Sequence, residues 1–283
     1  RISPSTSRSQ VFPVPGGPKA KKPPSGSVIR AARTLRARLR DPELDVTDEL
    51  AEYGRAQAAE LTGIHGYIFK RASPSCGMER VKVFTPDGHP AGKDGVGAYA
   101  AAFMAQRPDL PVEEEGRLGD PGLRDAFIER VFIRYRWQCL VDAGLTAGGL
   151  VAFHSRHKLL IMAHNQSAYR ELGRMVANAG NEAIHDLGQR YLNRLMAAIA
   201  QPAPRSGHAN VLYHLMGYLK EALDSEDKTE LGDVIERYRT GQVPLVVPIT
   251  LLNHHFRRHP DPYVAEQVYM QPHPDELGLR NQI

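Results

Sequence analysis

Along residues 45–115 the apolar positions come in short clusters separated by turn-forming residues. Tyr67, Ile68 and Phe69 form one β-favouring run and Val81, Lys82, Val83 and Phe84 form a second, so both are predicted as strands joined by a tight loop. A helix is predicted to open near Asp45, with Thr47 as N-cap, acids in the first turn, apolar spacing through Leu50, Tyr53 and Leu61, and a stop at Gly63. Residues 87–97 read as a glycine-rich connection, followed by an alanine-rich helix that Pro108 ends. Residues 110–115 read as a last strand, at an edge because Pro111 has no N–H to give to a ladder. Alternation of helix and strand predicts an α/β N-terminal domain, incomplete in this chain, over residues 41–120.

From residue 121 to 283 the pattern turns helical and predicts an all-α domain. Leu123, Phe127 and Val131 recur at helical spacing, with Ile128, Tyr135 and Cys139 beside them, which makes Cys139 a small core side chain. Gly148 and Gly149 are expected to close a loop before a helix over residues 150–164, and Ser167 is expected to cap the next one. Further helices are predicted over residues 185–200, around His208 and His214, and over residues 228–238. Pro244 and Pro248 bracket Leu245, Val246 and Val247 as an extended segment before a helix over residues 250–258. The end, from Gln271, reads as a strap over the surface.

Composition changes the picture at the start of the chain. Residues 1–40 hold ten Lys and Arg and no acid, in a Ser/Pro/Gly/Lys mixture with little to bury, so they are expected to form a disordered basic tail. The net charge of +4 therefore sits in that tail, and the other 243 residues carry −6. A solvated tail is the plain expectation, contact with RNA or acidic lipid the alternative, and a nucleic-acid partner is not favoured. No run is long and apolar enough for a membrane span, and two cysteines are too few for a disulfide framework, so a cytoplasmic location is expected.

Candidate chemistry lies in two places. The loop Ser73-Pro74-Ser75-Cys76-Gly77 sets a thiol among backbone donors that favour thiolate. Ten of the twelve histidines come after residue 150. Among them His154, His157, His208 and His214, with Lys158 and Arg257, could converge on a metal or line a cleft for an anionic or nucleic-acid-related ligand; histidines satisfied inside a helical bundle are the alternative. Two further features have weaker readings. Gly95 and Gly97 before a helix invite a phosphate loop but also allow plain close packing, and Glu113, Glu114 and Glu115 offer metal oxygens but suit a solvated edge.

Several segments carry a family resemblance. Ser73-Pro74-Ser75-Cys76-Gly77, Glu79-Arg80-Val81-Lys82-Val83 and Leu110-Pro111-Val112-Glu113-Glu114-Glu115-Gly116-Arg117-Leu118 resemble domain-of-unknown-function family 523, which includes the 2-thiouracil desulfurases. Phe153-His154-Ser155-Arg156-His157-Lys158, His208-Ala209-Asn210-Val211-Leu212, Pro244-Leu245-Val246-Val247-Pro248 and Pro260-Asp261-Pro262-Tyr263 resemble domain-of-unknown-function family 1722. The first resemblance implies a [4Fe–4S] cluster on three cysteines, an open iron that takes sulfur from a small thiolated base, and a serine that assists proton transfer. It implies Cys76 as a cluster ligand and Ser73 or Ser75 as the serine, Ser73 being favoured.

The chain departs from that pattern. The family's earlier cysteine and its Cys-Pro-Glu segment have no match here, so the expectation is a desulfurase-like protein deficient in its cluster. A damaged or misread start is expected, because a one-base shift through Phe12-Pro13-Val14-Pro15-Gly16 permits codons for Pro-Cys-Pro-Glu. The alternative expectation is that the helical domain is the working part, a non-enzymatic binding module.

Overall fold

The structure is a computed structural model that describes residues 45–85 and 87–283. The basic tail lies outside the described residues. The chain forms two compact units, one ending at Gly119 and one over Asp120–Ile283. The first is α/β and the second all-α.

In the first unit, α1 (Thr47–Glu60) is followed by β1 (Tyr67–Phe69), β2 (Val81–Phe84), β3 (Pro90–Gly95), α2 (Ala98–Gln106) and β4 (Val112–Glu114). All three residues of β1 are buried, as in a strand covered on both faces. Its Tyr67 and Phe69 rings pack on Phe103 of α2, with ring centroids 4.5 and 5.8 Å away, beside Ala58, Tyr99 and Leu110. The Tyr67 and Tyr99 hydroxyls meet at 3.0 Å inside this core. Burial, with Tyr67 beside it, raises the Tyr99 phenol far above its ordinary value.

Several expectations are corrected here. Thr47 is the first helical residue rather than the cap, and Asp45 Oδ1 accepts its N–H at 3.0 Å. Both early strands form as expected, each with a different partner: β1 runs parallel to β4, in register Tyr67↔Val112, whereas β2 runs antiparallel to β3. The latter strand occupies the stretch read as a connection. Its sequence, PAGKDG, is poor in strand formers and almost wholly exposed, so pairing with β2 rather than propensity makes it a strand. Nor is the acid run a solvated edge, since Glu113 and Glu114 are buried and only Glu115 is exposed. Arg117 reaches from one turn beyond β4 to Glu113 Oε1 at 2.7 Å, which lets that carboxylate be buried.

The second unit contains α3 (Pro121–Asp142), α4 (Ala147–His164), α5 (Gln166–Ala177), α6 (Ile184–Ala198), α7 (Arg205–Tyr218), α8 (Ser225–Arg239), α9 (Val246–Arg258) and the single turn α10 (Pro262–Ala265). Asp120, Thr146, Asn165, Asp224 and Asp261 cap helices by accepting an N–H from the first turn. Three helix starts therefore differ from those expected. Thr146 starts α4 early, so Gly148 and Gly149 are helical; Asn165 rather than Ser167 caps α5; and Pro248 sits in the first turn of α9, where its missing N–H costs no helical bond. Cys139 is half-buried rather than a core side chain. The end of the chain is a strap: Arg280 Nη1 donates to the Tyr269 carbonyl at 2.6 Å, and the Leu245 N–H donates to the Ile283 carbonyl.

One close approach sets the distance between α4 and α7. A Cβ on Gly207, in the first turn of α7, would stand 1.9 Å from the Ala163 carbonyl oxygen near the end of α4. The missing side chain lets these two helices touch, which brings His208 near His164. A Cβ on Gly217, at the other end of α7, would meet nothing within 4 Å. Gly207→Ala is therefore expected to destabilise the protein by roughly 1–3 kcal/mol. Gly217→Ala is expected to be neutral or to add up to about 1 kcal/mol, and denaturant unfolding of both variants tests the contrast.

Candidate functional site

The loop of residues 73–77 owes its shape to contacts with the start of α2. The Ser75 carbonyl accepts the Tyr99 N–H at 3.1 Å and the Ala100 N–H at 3.4 Å, and the Gly97 N–H donates to the Gly77 carbonyl at 2.9 Å. The loop thus satisfies free donors at a helix start that has no side-chain cap. A Cβ on Gly97 would fall 2.2 Å from the Ser75 oxygen, and one on Gly77 would fall 2.7 Å from the Ser73 oxygen. These glycines are packing glycines. The phosphate-loop reading of Gly95 and Gly97 fails because a protein carbonyl already holds the α2 N–H groups.

Within the loop, the Ser73 and Ser75 hydroxyls lie 3.0 Å apart, and Ser73 Oγ accepts the Cys76 N–H at 3.3 Å. Cys76 is half-buried and packs against the aromatic core beside Tyr99. Ala72 and Arg80 on either side of the loop both take positive φ, 50° and 54°, which L residues rarely adopt. At the loop's exit Glu79 Oε1 accepts from Arg117 Nη1 at 2.6 Å. Partial burial works against the Arg117 guanidinium, but Glu113 and Glu79 more than offset it and raise its pKa. The structure therefore does bring Ser73, Ser75 and Cys76 together. What it supplies around them is backbone and one salt-bridge network, with no second thiol in the unit.

That donor set does not fit a [4Fe–4S] cluster. The chain has two cysteines, and Cys76 and Cys139 belong to different units. Among the described residues no group of three His, Cys, Asp or Glu side chains is placed to hold a metal ion.

The helical residues expected to converge do not. His154 and His157 of α4 are both buried: the His154 Nδ1 pairs with the Tyr191 hydroxyl at 3.0 Å, and the His157 Nδ1 donates to the Phe153 carbonyl at 2.7 Å. His157 also stacks on the Phe153 ring, with centroids 4.0 Å apart. Lys158 Nζ lies 4.7 Å above the Tyr263 ring, which in turn stacks on Tyr218. His214 and Arg257 are exposed. Only His208 reaches a different polar cluster, and its Nδ1 pairs with the Tyr269 hydroxyl at 3.0 Å.

Burial keeps three of these rings neutral. It pushes His154 down to about 4, with Lys158 adding to the effect, and pushes His157 and His208 down to about 3 against nearby arginines. His164 behaves differently. Its Nε2 lies 2.7 Å from Glu129 Oε1 and its Nδ1 lies 2.8 Å from the Gln201 carbonyl, so both nitrogens face acceptors. Burial alone would raise the Glu129 carboxyl; the His164 charge, backed by Arg280, holds it well below the usual carboxylate range instead. A second buried pair, His273 Nε2 to Asp125 Oδ1 at 2.9 Å, lies one helical turn away on α3. Pattern reading missed Asp125 and Glu129. The signal available was two acids at i, i+4 within a helix whose neighbouring positions are apolar.

A sequence model described as 2-thiouracil desulfurase matches residues 10–115, of which 10–44 lie outside the described residues. A second, described as a protein of unknown function (DUF1722), matches residues 158–274. The chain is 34% identical over 158 residues to the uncharacterized protein YbgA of Escherichia coli (strain K12), covering 56% of this chain and 94% of that protein. No solved structure matches it.

The buried groups make stability depend on pH and on one ion pair. Three rings that stay neutral in the fold take up protons in the unfolded chain below its ordinary value of about 6.5, so the unfolded state gains protons first and acid costs stability. Thermal melts are expected to show full stability above about pH 6.5 and a falling melting temperature toward pH 4, with a shallower fall in His157→Phe. Glu129→Ala leaves the buried His164 Nε2 without its partner and is expected to cost roughly 1–3 kcal/mol in denaturant unfolding. By contrast, Glu236→Ala, which breaks an exposed pair with Arg239, should leave stability unchanged within error.

Proposed function

We propose, for a chain that belongs to the family of the uncharacterized protein YbgA and matches models for a 2-thiouracil desulfurase and for DUF1722, that its first domain keeps the desulfurase framework without holding a [4Fe–4S] cluster on its own residues. The observation that supports this is the thiol count: one cysteine within the matched residues 10–115, where the resemblance calls for three ligands. Cluster affinity rests on the thiolates together, and a single half-buried sulfur against an aromatic core supplies neither the number nor the geometry.

On this proposal the loop of residues 73–77 is a retained shape. Ser73 and Ser75 are occupied in bonding to each other and to the Cys76 N–H, and Cys76 remains as a thiol beside them. Such a loop can still contact a small thiolated base through a thiol and two hydroxyls, but removal of sulfur to an open iron is not available to it. The proposal also places the protein in the cytoplasm, where free thiols persist.

Anaerobic incubation of the full chain with iron and sulfide tests this. The expected result is protein without the broad visible absorbance of an iron–sulfur cluster and without bound acid-labile sulfide. Absorbance and stoichiometric sulfide that disappear in Cys76→Ser would overturn the proposal.

A further inference from the structure

The helical unit holds a cavity of about 540 Å³ between α9, α10 and the C-terminal strap, a size that suits a small molecule. Two deeply buried polar side chains line it, Gln267 at 4% exposure and Arg280 at 8%. Gln267 Nε2 donates to the Ser155 carbonyl at 3.0 Å and to the Tyr263 carbonyl at 3.4 Å, which orients the amide and leaves Oε1 over. Arg280 Nη1 donates to the Tyr269 carbonyl at 2.6 Å. A smaller cavity of about 280 Å³ between α3, α7 and α8 differs, because its buried polar side chains, Asp125, Glu129 and His208, are each paired within the fold, as is the Arg205 beside them.

The larger cavity has unpaired atoms in its wall residues. Among the described residues, Gln267 Oε1, Arg280 Nε and Arg280 Nη2 are buried and meet no hydrogen-bonding group. The Nε–H and one Nη2–H stand side by side on one edge of the guanidinium, a fork that takes a carbonyl oxygen or a two-oxygen group. Gln267 and this fork belong to one neighbourhood: the turn closed by the Met270 N–H on the Gln267 carbonyl, at 3.1 Å, also carries the Tyr269 carbonyl that Arg280 holds. Buried donors and acceptors in folded proteins are nearly always paired, so an acceptor and a fork left over beside one cavity point to a molecule that pairs them.

Hydrogen-bonding sense and charge narrow the chemistry. Four ionisable side chains line the cavity: Asp261, His273, Asp275 and Arg280. His273 Nε2 faces Asp125 Oδ1 at 2.9 Å, and Arg280 Nη2 faces Glu129 Oε2 at 3.8 Å, a matching charge too far away for a hydrogen bond. Asp261 Oδ1 caps α10, and Asp275 is exposed. An anion would suit the fork, but it would meet Glu129, Asp261 and Asp275 and bring no donor to Gln267. An ammonium would suit Gln267 and both aspartates, but it would face a guanidinium and leave the fork empty. An uncharged amide brings both an acceptor and a donor without adding a charge. Ile249, Phe256, Val264 and Leu279 supply apolar wall for the rest of such a molecule.

We propose that this cavity binds an uncharged, amide-bearing molecule about the size of a capped amino acid with an apolar side chain, a carbonyl of which meets the Arg280 fork and an N–H of which meets Gln267 Oε1. Two amide groups in such a molecule let the carbonyl and the N–H come from different ends of it. The site does not depend on whether a cluster forms at Cys76.

Three probes of similar size test this on the full chain at pH 6.5, where an α-amino group is charged: N-acetylphenylalanine amide (uncharged), N-acetylphenylalanine (anionic) and phenylalanine amide (cationic). Calorimetric titration is expected to show the uncharged probe binding at least about tenfold more tightly than either charged one. Arg280→Lys keeps a positive charge beside Glu129 but removes the fork, and is expected to weaken the uncharged probe about tenfold. Because that change also removes the bond to the Tyr269 carbonyl, Ala265→Trp serves as the second variant. Ala265 is exposed at the cavity wall, so the tryptophan narrows the cavity while every buried bond stays, and binding should be lost with an unchanged circular dichroism spectrum. No binding by the uncharged probe, equal or tighter binding by a charged one, unchanged affinity in folded Arg280→Lys, or undiminished binding in folded Ala265→Trp overturns the proposal.

Discussion

Inside the helical unit the governing constraint is the cost of taking a charge or polar atom out of water. A buried ionised carboxylate is tolerated only when a positive partner and further hydrogen bonds replace its hydration. Glu129 meets that condition through His164, whose other nitrogen is fixed by the Gln201 carbonyl, so one pair ties α3 to the end of α4 and to the turn before α7. Asp125 and His273 repeat the arrangement one turn earlier and tie α3 to the C-terminal strap. These pairs hold specific segments together.

In the α/β unit the equivalent constraint is the N-terminus of α2. Its N–H groups have no side-chain cap, and the Ser75 carbonyl serves them instead. That requires the backbone of the loop to approach the helix within a distance that Gly97 alone permits, so the loop's shape is fixed by packing rather than by any ligand. A framework maintained this way keeps its shape without a ligand. It explains how Ser73, Ser75 and Cys76 can stay clustered although a single thiol cannot carry a cluster.

The histidines show how far residue type alone misleads. Spacing on α4 brings His154, His157 and Lys158 close in sequence, yet each goes to a different neighbour: a tyrosine hydroxyl, a main-chain carbonyl and an aromatic face. Helical spacing states which side chains share a face, and says nothing about what that face meets. Here it meets other helices, and desolvation drives the imidazoles to their neutral form. The polar cluster that does line a cavity draws its members from α3, α7 and α8, so no local window contains it.

By itself the sequence determined the change from α/β to all-α texture, both early strands, the alanine-rich helix and most helices after Asp120, because these depend on local spacing of apolar residues and on short-range stop signals. It also determined that only two thiols exist. Tertiary structure decided the strand pairing, the burial of Glu113 and Glu114, and the β3 strand, since those depend on which backbone lies alongside and on an arginine from a later turn. It also decided that Glu129, Asp125, His208 and Arg205 share one cavity. Burial makes each of them seek a partner, and only the packed helices settle which partners lie within reach.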